Sequence, residues 1–536
     1  MKLLDLDNIP DIIEHSEKNY SERIALRFKK DGIEKKVTFR QFCYDIRYTA
    51  DLLRKKGYVH KHIALVFEFR YEWLVFMYAV LLSGNCCVPI NSDEDAETIL
   101  KKCIAADASL IIISEKTNKK IRNASVDPPQ NIVEYSSIFT YEDDRKETDI
   151  EAFEKVSSDD YAFIIYTSGT TAVAKPVVLT HKNVTSNLKG CYILSEGTIN
   201  AKQIETNMTV LPPYHTYQIT IGYLYQFAYG GVICISQDKK YFSQELKYYK
   251  PSGIVVVPLV IEMIYNKIMA EIRKEGKTEK FNKARSLSKK LMKLHIDLRR
   301  VLFKQILSGL GGNLYLIHCG GAELKKELVD FFYDIGINIY VGYGITECSP
   351  LISANMTKDR RTGSVGKVMP EPYMALKIED NEILVKGESV FKEYYNSEEE
   401  TKNAFKDGWF CTGDLGYLDK DGFLFITGRK KNLIILSNGE NVSPEELENE
   451  ISKISEVKEC QVFEKNFNGN SVVAAKVFPD FSYRKENELS VFYDSIKEKI
   501  KKLELPTFKQ VKYVEFIEHE FPKNALGKIV RKYNNI

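Results

Sequence analysis

The sequence predicts an α/β fold. A large N-terminal domain with doubly wound, mainly parallel sheets and a small β-rich subdomain precedes a small α+β C-terminal domain. Three observations carry this. Short apolar runs alternate with helical periodicity from residue 37 to about 257, the pattern of strands joined by crossover helices. After residue 370 the runs alternate apolar and polar around turn residues, as hairpins do. Beyond 430 a Lys-rich stretch carries helix and strand signals over the length of a small domain.

The elements follow in order. Thr38-Phe39-Arg40 opens an amphipathic helix that runs through Leu53. Residues 63–66 and 87–90 are short apolar strands. Between them the run 73–82 is too short to span a bilayer and reads as a buried helix. Strands recur at 110–114, 162–166, 208–211, 231–235 and 253–257. Residues 271–304 set lysines and arginines among spaced apolar residues, which predicts one or two basic amphipathic helices. Residues 375–378 and 383–386 flank the turn signal Glu379-Asp380-Asn381-Glu382, and 423–426 follow the turn Lys420-Asp421-Gly422. A boundary near Arg429-Lys430-Lys431 divides the chain into domains 1–429 and 430–536. The second holds a helix from Pro444, a strand at 473–478 and a Lys-rich helix near 490–502.

Composition narrows the function. A chain of 536 residues, 44% hydrophobic, is too long for one core. A net charge of +2 excludes a protein that binds nucleic acid through its overall charge. The ten cysteines are scattered, with one adjacent pair, Cys86-Cys87, and no repeated zinc spacing, so buried thiols in a reducing compartment are expected. The N-terminus shows no apolar stretch of signal-peptide length, which makes the cytoplasm the expected location. For residues 271–304 the two readings are a solvated helical face and a peripheral contact with an anionic surface, at the inner membrane face or on an acidic carrier protein.

The densest chemistry lies in Tyr166-Thr167-Ser168-Gly169-Thr170-Thr171-Ala172-Val173-Ala174-Lys175-Pro176. A buried strand running into a Ser/Thr/Gly loop with a lysine can grip polyphosphate. Hydroxyls and free N–H groups bind the oxygens and lysine adds charge. The loop lacks the order of a Walker A motif, and a plain surface turn is the alternative.

Five further segments accompany it: Leu211-Pro212-Pro213-Tyr214-His215, Tyr343-Gly344-Ile345-Thr346-Glu347, Asp407-Gly408-Trp409-Phe410-Cys411-Thr412-Gly413-Asp414, Gly428-Arg429-Lys430-Lys431-Asn432 with Ser437-Asn438-Gly439-Glu440-Asn441-Val442, and Pro522-Lys523-Asn524-Ala525-Leu526-Gly527-Lys528-Ile529. In this order they resemble the motifs of the adenylate-forming superfamily, which holds acyl-CoA synthetases, nonribosomal adenylation domains and luciferases. Val257-Pro258 with Glu262 and Ile264-Tyr265, the basic insertion after them, and Cys319-Gly320-Gly321-Ala322 are most similar to long-chain fatty acyl-CoA synthetases.

The resemblance implies an AMP-forming acid–thiol ligase. A carboxylic acid, medium- or long-chain fatty by preference, reacts with ATP to give acyl-AMP and pyrophosphate. Coenzyme A, or the phosphopantetheine of a separate acyl carrier protein, then takes the acyl group. Two anions must meet, so cations and oriented dipoles are needed where charge builds up. Thr167, Ser168, Gly169, Thr170, Thr171 and Lys175 are assigned to the β- and γ-phosphates, Thr346 to the α-phosphate and Glu347 to Mg²⁺. Tyr343 and Gly344 with Gly320, Gly321 and Ala322 are assigned to adenine, Asp414 to the ribose hydroxyls and Arg429 to a further donor. His215 and Lys528 are catalytic candidates, the lysine bridging carboxylate and α-phosphate. Lys431 is the implied hinge of a mobile C-terminal domain, and Gly439 reaches the thiol channel. The family loop usually ends in glycines where Ala172 and Pro176 stand here, which stiffens it and removes a donor. Alternatives are an aryl or amino acid loaded onto a carrier, and an ATP- or AMP-binding protein with impaired turnover. A monomer or homodimer is expected.

Overall fold

The computed structural model describes residues 3–531 apart from 125–130, 144, 146–147, 168–173, 196–204, 237–238, 357–359, 437–439, 468–469, 485–487 and 524–528. Among the described residues the largest sheet has nine strands. Their order is Lys367–Val368, Leu351–Asn355, Asn338–Gly344, Leu316–Cys319, Gly253–Val256, Thr206–Met208, Val232–Cys234, Ile24–Lys30 and Ile33–Thr38. The strands from Asn338–Gly344 to Ile24–Lys30 run parallel, and the outer ones are antiparallel. A second sheet orders Glu393–Tyr394, Pro176–Thr180, Tyr161–Tyr166, Cys86–Pro89, His62–Val66, Ala108–Ile113 and Ile132–Glu134, parallel except at the first two strands.

Helices cover these sheets because strand residues alternate faces. Ile317, Cys319, Ile339 and Val341 turn to the face where helix Pro258–Lys274 lays Ile261, Ile264 and Ile268, and helix Lys326–Asp334 lays Val329 and Phe332. Helix Phe39–Lys55 starts at Thr38, whose hydroxyl accepts from the Gln41 N–H and caps it. The run 73–82 lies in helix Tyr71–Leu82, buried from Tyr71 through Leu81. No helix among the described residues is long and apolar enough to cross a membrane. Nine of the ten cysteines are buried, Cys411 is half-buried, and all are free thiols.

Some elements differ from the sequence reading. The apolar run 208–211 suggests a strand, but the ladder spans Thr206–Met208; Pro212 and Pro213 follow, and proline cannot continue a ladder. The hairpin Ile24–Lys30 and Ile33–Thr38 is hidden by its charged outer residues, though Asp31 and Gly32 turn at positive φ (51° and 78°). Residues Gln218–Tyr225 form a π-helix, which apolar periodicity does not distinguish from an α-helix.

By its internal contacts the chain divides into two compact units. Met1–Ala375 with Lys386–Phe405 forms one, and Leu376–Val385 with Lys406–Ile536 the other. The packing thus groups 376–385 and 406–429 with the C-terminal residues. The second unit holds most of a five-stranded sheet, with hairpin Ala375–Glu379 and Glu382–Lys386, and strands Trp409–Leu418 and Leu424–Arg429. Asp380 and Asn381 form the hairpin turn at φ 50° and 63°. A three-stranded sheet of Val457–Phe467, Asn470–Pro479 and Tyr513–Phe516 packs under helices Pro444–Ile451 and Leu489–Lys501 around Leu447, Ile451, Val462, Val477 and Ile496.

Candidate active site

Thr167 and Lys175 flank the Ser/Thr-rich loop at the open end of a hairpin. Tyr161–Tyr166 pairs antiparallel with Pro176–Thr180. The mouth is closed by two candidates. The Thr167 N–H donates to the Lys175 carbonyl at 3.0 Å, and the Lys175 N–H donates to Thr167 Oγ1 at 3.3 Å. Ser168, Gly169, Thr170 and Thr171 lie outside the described residues. The Lys175 ammonium stands 3.3 Å from Glu400 Oε2 and 4.8 Å from the ring centre of Tyr394.

Other candidates collect at the carboxyl ends of parallel strands in the nine-stranded sheet, where open α/β sheets form ligand crevices. Gly320, Gly321 and Ala322 follow directly on Leu316–Cys319. Gly320 is buried, and a Cβ there would lie 3.3 Å from the Gly342 carbonyl and 3.4 Å from the Tyr217 ring. Tyr343 and Gly344 end the neighbouring strand Asn338–Gly344. A side chain at Gly344 would strike the Pro350 carbonyl, which accepts the Ile345 N–H at 3.0 Å. That close approach turns the chain into the short 3-10 segment Thr346–Cys348, carrying half-buried Thr346 and Glu347. His215 follows the end of Thr206–Met208. Its ring lies 4.7 Å from that of Tyr214, and its carbonyl accepts the Ile219 N–H at 3.0 Å, opening the helical segment.

The short strand Glu393–Tyr394 joins these groups. Its ladder partners are Val178 and Val177, just past Lys175. The Tyr395 N–H donates to the Pro176 carbonyl at 2.8 Å, and the Phe391 N–H to the Glu347 carbonyl at 2.7 Å. The Tyr394 hydroxyl donates to Glu347 Oε1 at 2.9 Å. Burial first, and the Glu347 charge second, push this hydroxyl well above the usual phenol range, so it remains a donor. Sequence reasoning missed Tyr394 and Glu400, because an aromatic on a two-residue strand and a glutamate on a helix carry no pattern.

On the second unit Asp414 is almost fully buried, 4% exposed, and its Oδ1 lies 2.9 Å from Arg429 Nε. The two residues face each other across the ladder. Buried Glu382 accepts the Gly413 N–H at 3.1 Å and binds Lys430 Nζ at 2.6 Å, which fixes the strand just before Asp414. The sequence read Glu382 as a turn residue; the structure places it in the strand. Lys431 is exposed, and Gly439 and Lys528 lie outside the described residues. The described residues on either side of 524–528 have partners. Lys523 pairs with Ile529, the Val530 N–H donates to the Pro522 carbonyl at 2.8 Å, and Arg531 binds Glu448 and the Val462 carbonyl. Burial lifts the Glu448 carboxyl to about 7 against the pull of Arg531.

No three His, Cys, Asp or Glu side chains among the described residues converge on one point. A single half-buried carboxylate, Glu347, held by the Tyr394 hydroxyl, suits Mg²⁺ that arrives with phosphate oxygens, since this ion keeps several waters and few protein ligands.

A family model described as AMP-binding enzyme matches residues 13–395. The long-chain-fatty-acid–CoA ligase FadD15 of Mycobacterium bovis is 29% identical over 474 residues, 83% of this chain and 78% of that protein. The chloroplastic long-chain-fatty-acid–[acyl-carrier-protein] ligase AEE15 of Arabidopsis thaliana is 26% identical, over 82% of this chain and 72% of that one. Among solved structures, the o-succinylbenzoate CoA synthetase of Bacillus subtilis in complex with its acyl-adenylate intermediate superposes with a TM-score of 0.75 at 22% identity, over 98% of each chain. The same enzyme in complex with ATP and magnesium ion gives 0.73.

Proposed function

Because the chain belongs to the AMP-binding enzyme family, we propose that it activates a medium- or long-chain fatty acid as acyl-AMP and transfers the acyl group to coenzyme A. The observation that carries this is the strap 391–395, which ties the phosphate-loop mouth at Thr167 and Lys175 to the Thr346–Glu347 turn. Lys175 and Thr167 meet the outer phosphates of ATP, and Thr346 meets the α-phosphate. Glu347 holds Mg²⁺, which supplies charge neutralisation on the triphosphate when bound. Tyr343, Gly344 and Gly320 to Ala322 form the adenine side. Asp414 accepts from the ribose hydroxyls with Arg429 beside it, and Lys528 draws carboxylate and α-phosphate together. The acid's oxygen attacks the α-phosphorus and pyrophosphate leaves. A thiolate then attacks the acyl carbon and AMP leaves. Domain 430–536 turns about Lys431 between the two steps and brings the Gly439 loop to the thiol. The test is ATP–pyrophosphate exchange over a panel of carboxylic acids. Exchange led by fatty acids supports the reading, exchange led by aryl or amino acids overturns the substrate class, and none with any acid overturns turnover itself.

The relative AEE15 is named for transfer to a carrier protein, so the acceptor is tested with coenzyme A and with a phosphopantetheinylated carrier in parallel. Residues 271–304 also bear on substrate delivery. Helix Thr278–Lys293 leaves Lys280, Lys290 and Lys293 exposed, as is Lys304. Leu294, Ile296, Leu298 and Val301 are exposed beside them, Val301 at 71% and Leu294 at 68%. Apolar tips among lysines suit a peripheral contact with an anionic bilayer. Arg299 and Arg300 take no part, because they bind the carbonyls of Tyr333, Leu314 and Gly312 and hold the fold. Sedimentation with anionic vesicles at low salt compares wild type with Lys290→Gln/Lys293→Gln/Leu294→Ser. Equal binding of both, or of neither, removes the contact.

A further inference from the structure

We propose that Tyr394 is a positioning residue that holds the Glu347 carboxylate and the Lys175 ammonium in register for Mg²⁺·ATP. The inference rests on the reading that Glu347 serves the metal and Lys175 the phosphates. Three observations converge. The Tyr394 side chain is 6% exposed and its hydroxyl donates to Glu347 Oε1 at 2.9 Å. Its ring lies 4.8 Å from the Lys175 ammonium, within cation–π range. Its backbone is fixed on both sides: the ladder pairs it with Val177, and its N–H donates to Thr401 Oγ1 at 3.0 Å.

The physics follows from the order of these contacts. A carboxylate that bears a metal loses affinity when it can rotate, and a hydrogen bond to one oxygen removes that freedom. A partly exposed lysine samples many rotamers, and a ring face restricts them without itself neutralising the charge. One side chain therefore does both tasks, and it is pinned to the exit strand of the phosphate loop and to the Thr346–Glu347 turn. The two sheets that carry these groups are thus linked by a hydroxyl as well as by backbone.

The experiment measures ATP and AMP binding to the full-length protein by calorimetry at stepped MgCl₂, so no acid substrate is needed. Tyr394→Phe removes only the hydroxyl. The expected result is a Mg²⁺ requirement for ATP binding raised about tenfold, the scale for losing a group that orients a metal ligand. AMP affinity and the unfolding midpoint stay at wild-type values. Tyr394→Leu, which also removes the ring, weakens ATP binding further at saturating Mg²⁺. A Mg²⁺ dependence of Tyr394→Phe equal to wild type overturns the proposal, as does an equal loss of AMP and ATP affinity, which marks a packing role alone. Glu347→Gln is run alongside. If it shifts the Mg²⁺ dependence and Tyr394→Phe does not, only the role of Tyr394 falls. If neither shifts it, the metal role of Glu347 falls too.

Discussion

The Lys175–Glu400 pair shows how little of a site's electrostatics a motif conveys. Both side chains are partly exposed, 37% and 49%, and such a pair contributes about 0–1 kcal/mol. On the proposed reading, in which Lys175 serves the phosphates, ATP must draw the lysine from Glu400 and bring four negative charges near that carboxylate. Glu400→Gln is therefore expected to tighten ATP binding about two- to fivefold at low salt, read by calorimetry; weaker binding would mean that Glu400 aims the lysine. Asp414 is the opposite case, since it is buried against Arg429. Asp414→Ala is expected to weaken ATP binding by about 1.5–3 kcal/mol, the range for a hydrogen bond to a charged group. An unchanged affinity would leave it a structural partner of Arg429 within the strand. Asp414 and Lys175 could be named as candidates from the sequence because their neighbours form motifs. Tyr394, Glu400 and Glu382 were not, because their partners are distant in the chain.

At the level of elements, helix Ile9–Tyr20 meets helix His181–Ser195 through one histidine. His181 is wholly buried, and its Nδ1 accepts the Ile9 N–H at 3.2 Å, so the ring must be neutral there. Burial lowers its pKa from 6.5 to about 4. The folded value lies below the unfolded one, so the unfolded chain binds the proton first. This contribution is present above pH 6.5 and is lost as pH falls to 4, in total about 3 kcal/mol. Urea midpoints between pH 7 and 4.5 should fall for wild type and fall less steeply for His181→Asn; parallel slopes would refute the linkage. Most elements were readable from periodicity, as with 63–66 found as His62–Val66 and the helix from Pro444 found as Pro444–Ile451. The strand Val457–Phe467 was not, since Lys458, Glu459, Glu464 and Lys465 break its apolar run while Val457, Cys460 and Val462 still face the core.

Over the whole molecule, the two-step reading predicts separable half-reactions. Lys528→Ala should slow acyl-AMP formation at least about 100-fold, the scale of one charge-stabilising donor. It should spare thioester formation from supplied acyl-AMP. Equal losses in both, measured by single-turnover assays, would sink a lysine that acts in one pose. The sequence by itself determined the alternation that builds two parallel-cored sheets, the small α+β unit after them, and the order of motifs that marks the family. These are local quantities: a buried strand needs a continuous apolar run, and a phosphate loop needs hydroxyls and a lysine within a few residues. Only the tertiary structure decided that residues 376–385 and 406–429 pack with the C-terminal part. It alone showed that Arg299 and Arg300 are clamps rather than free cations, and that Tyr394 stands between Lys175 and Glu347. Each depends on groups far apart in the chain meeting after the sheets are laid down, and side-chain chemistry read along one dimension carries no record of that meeting.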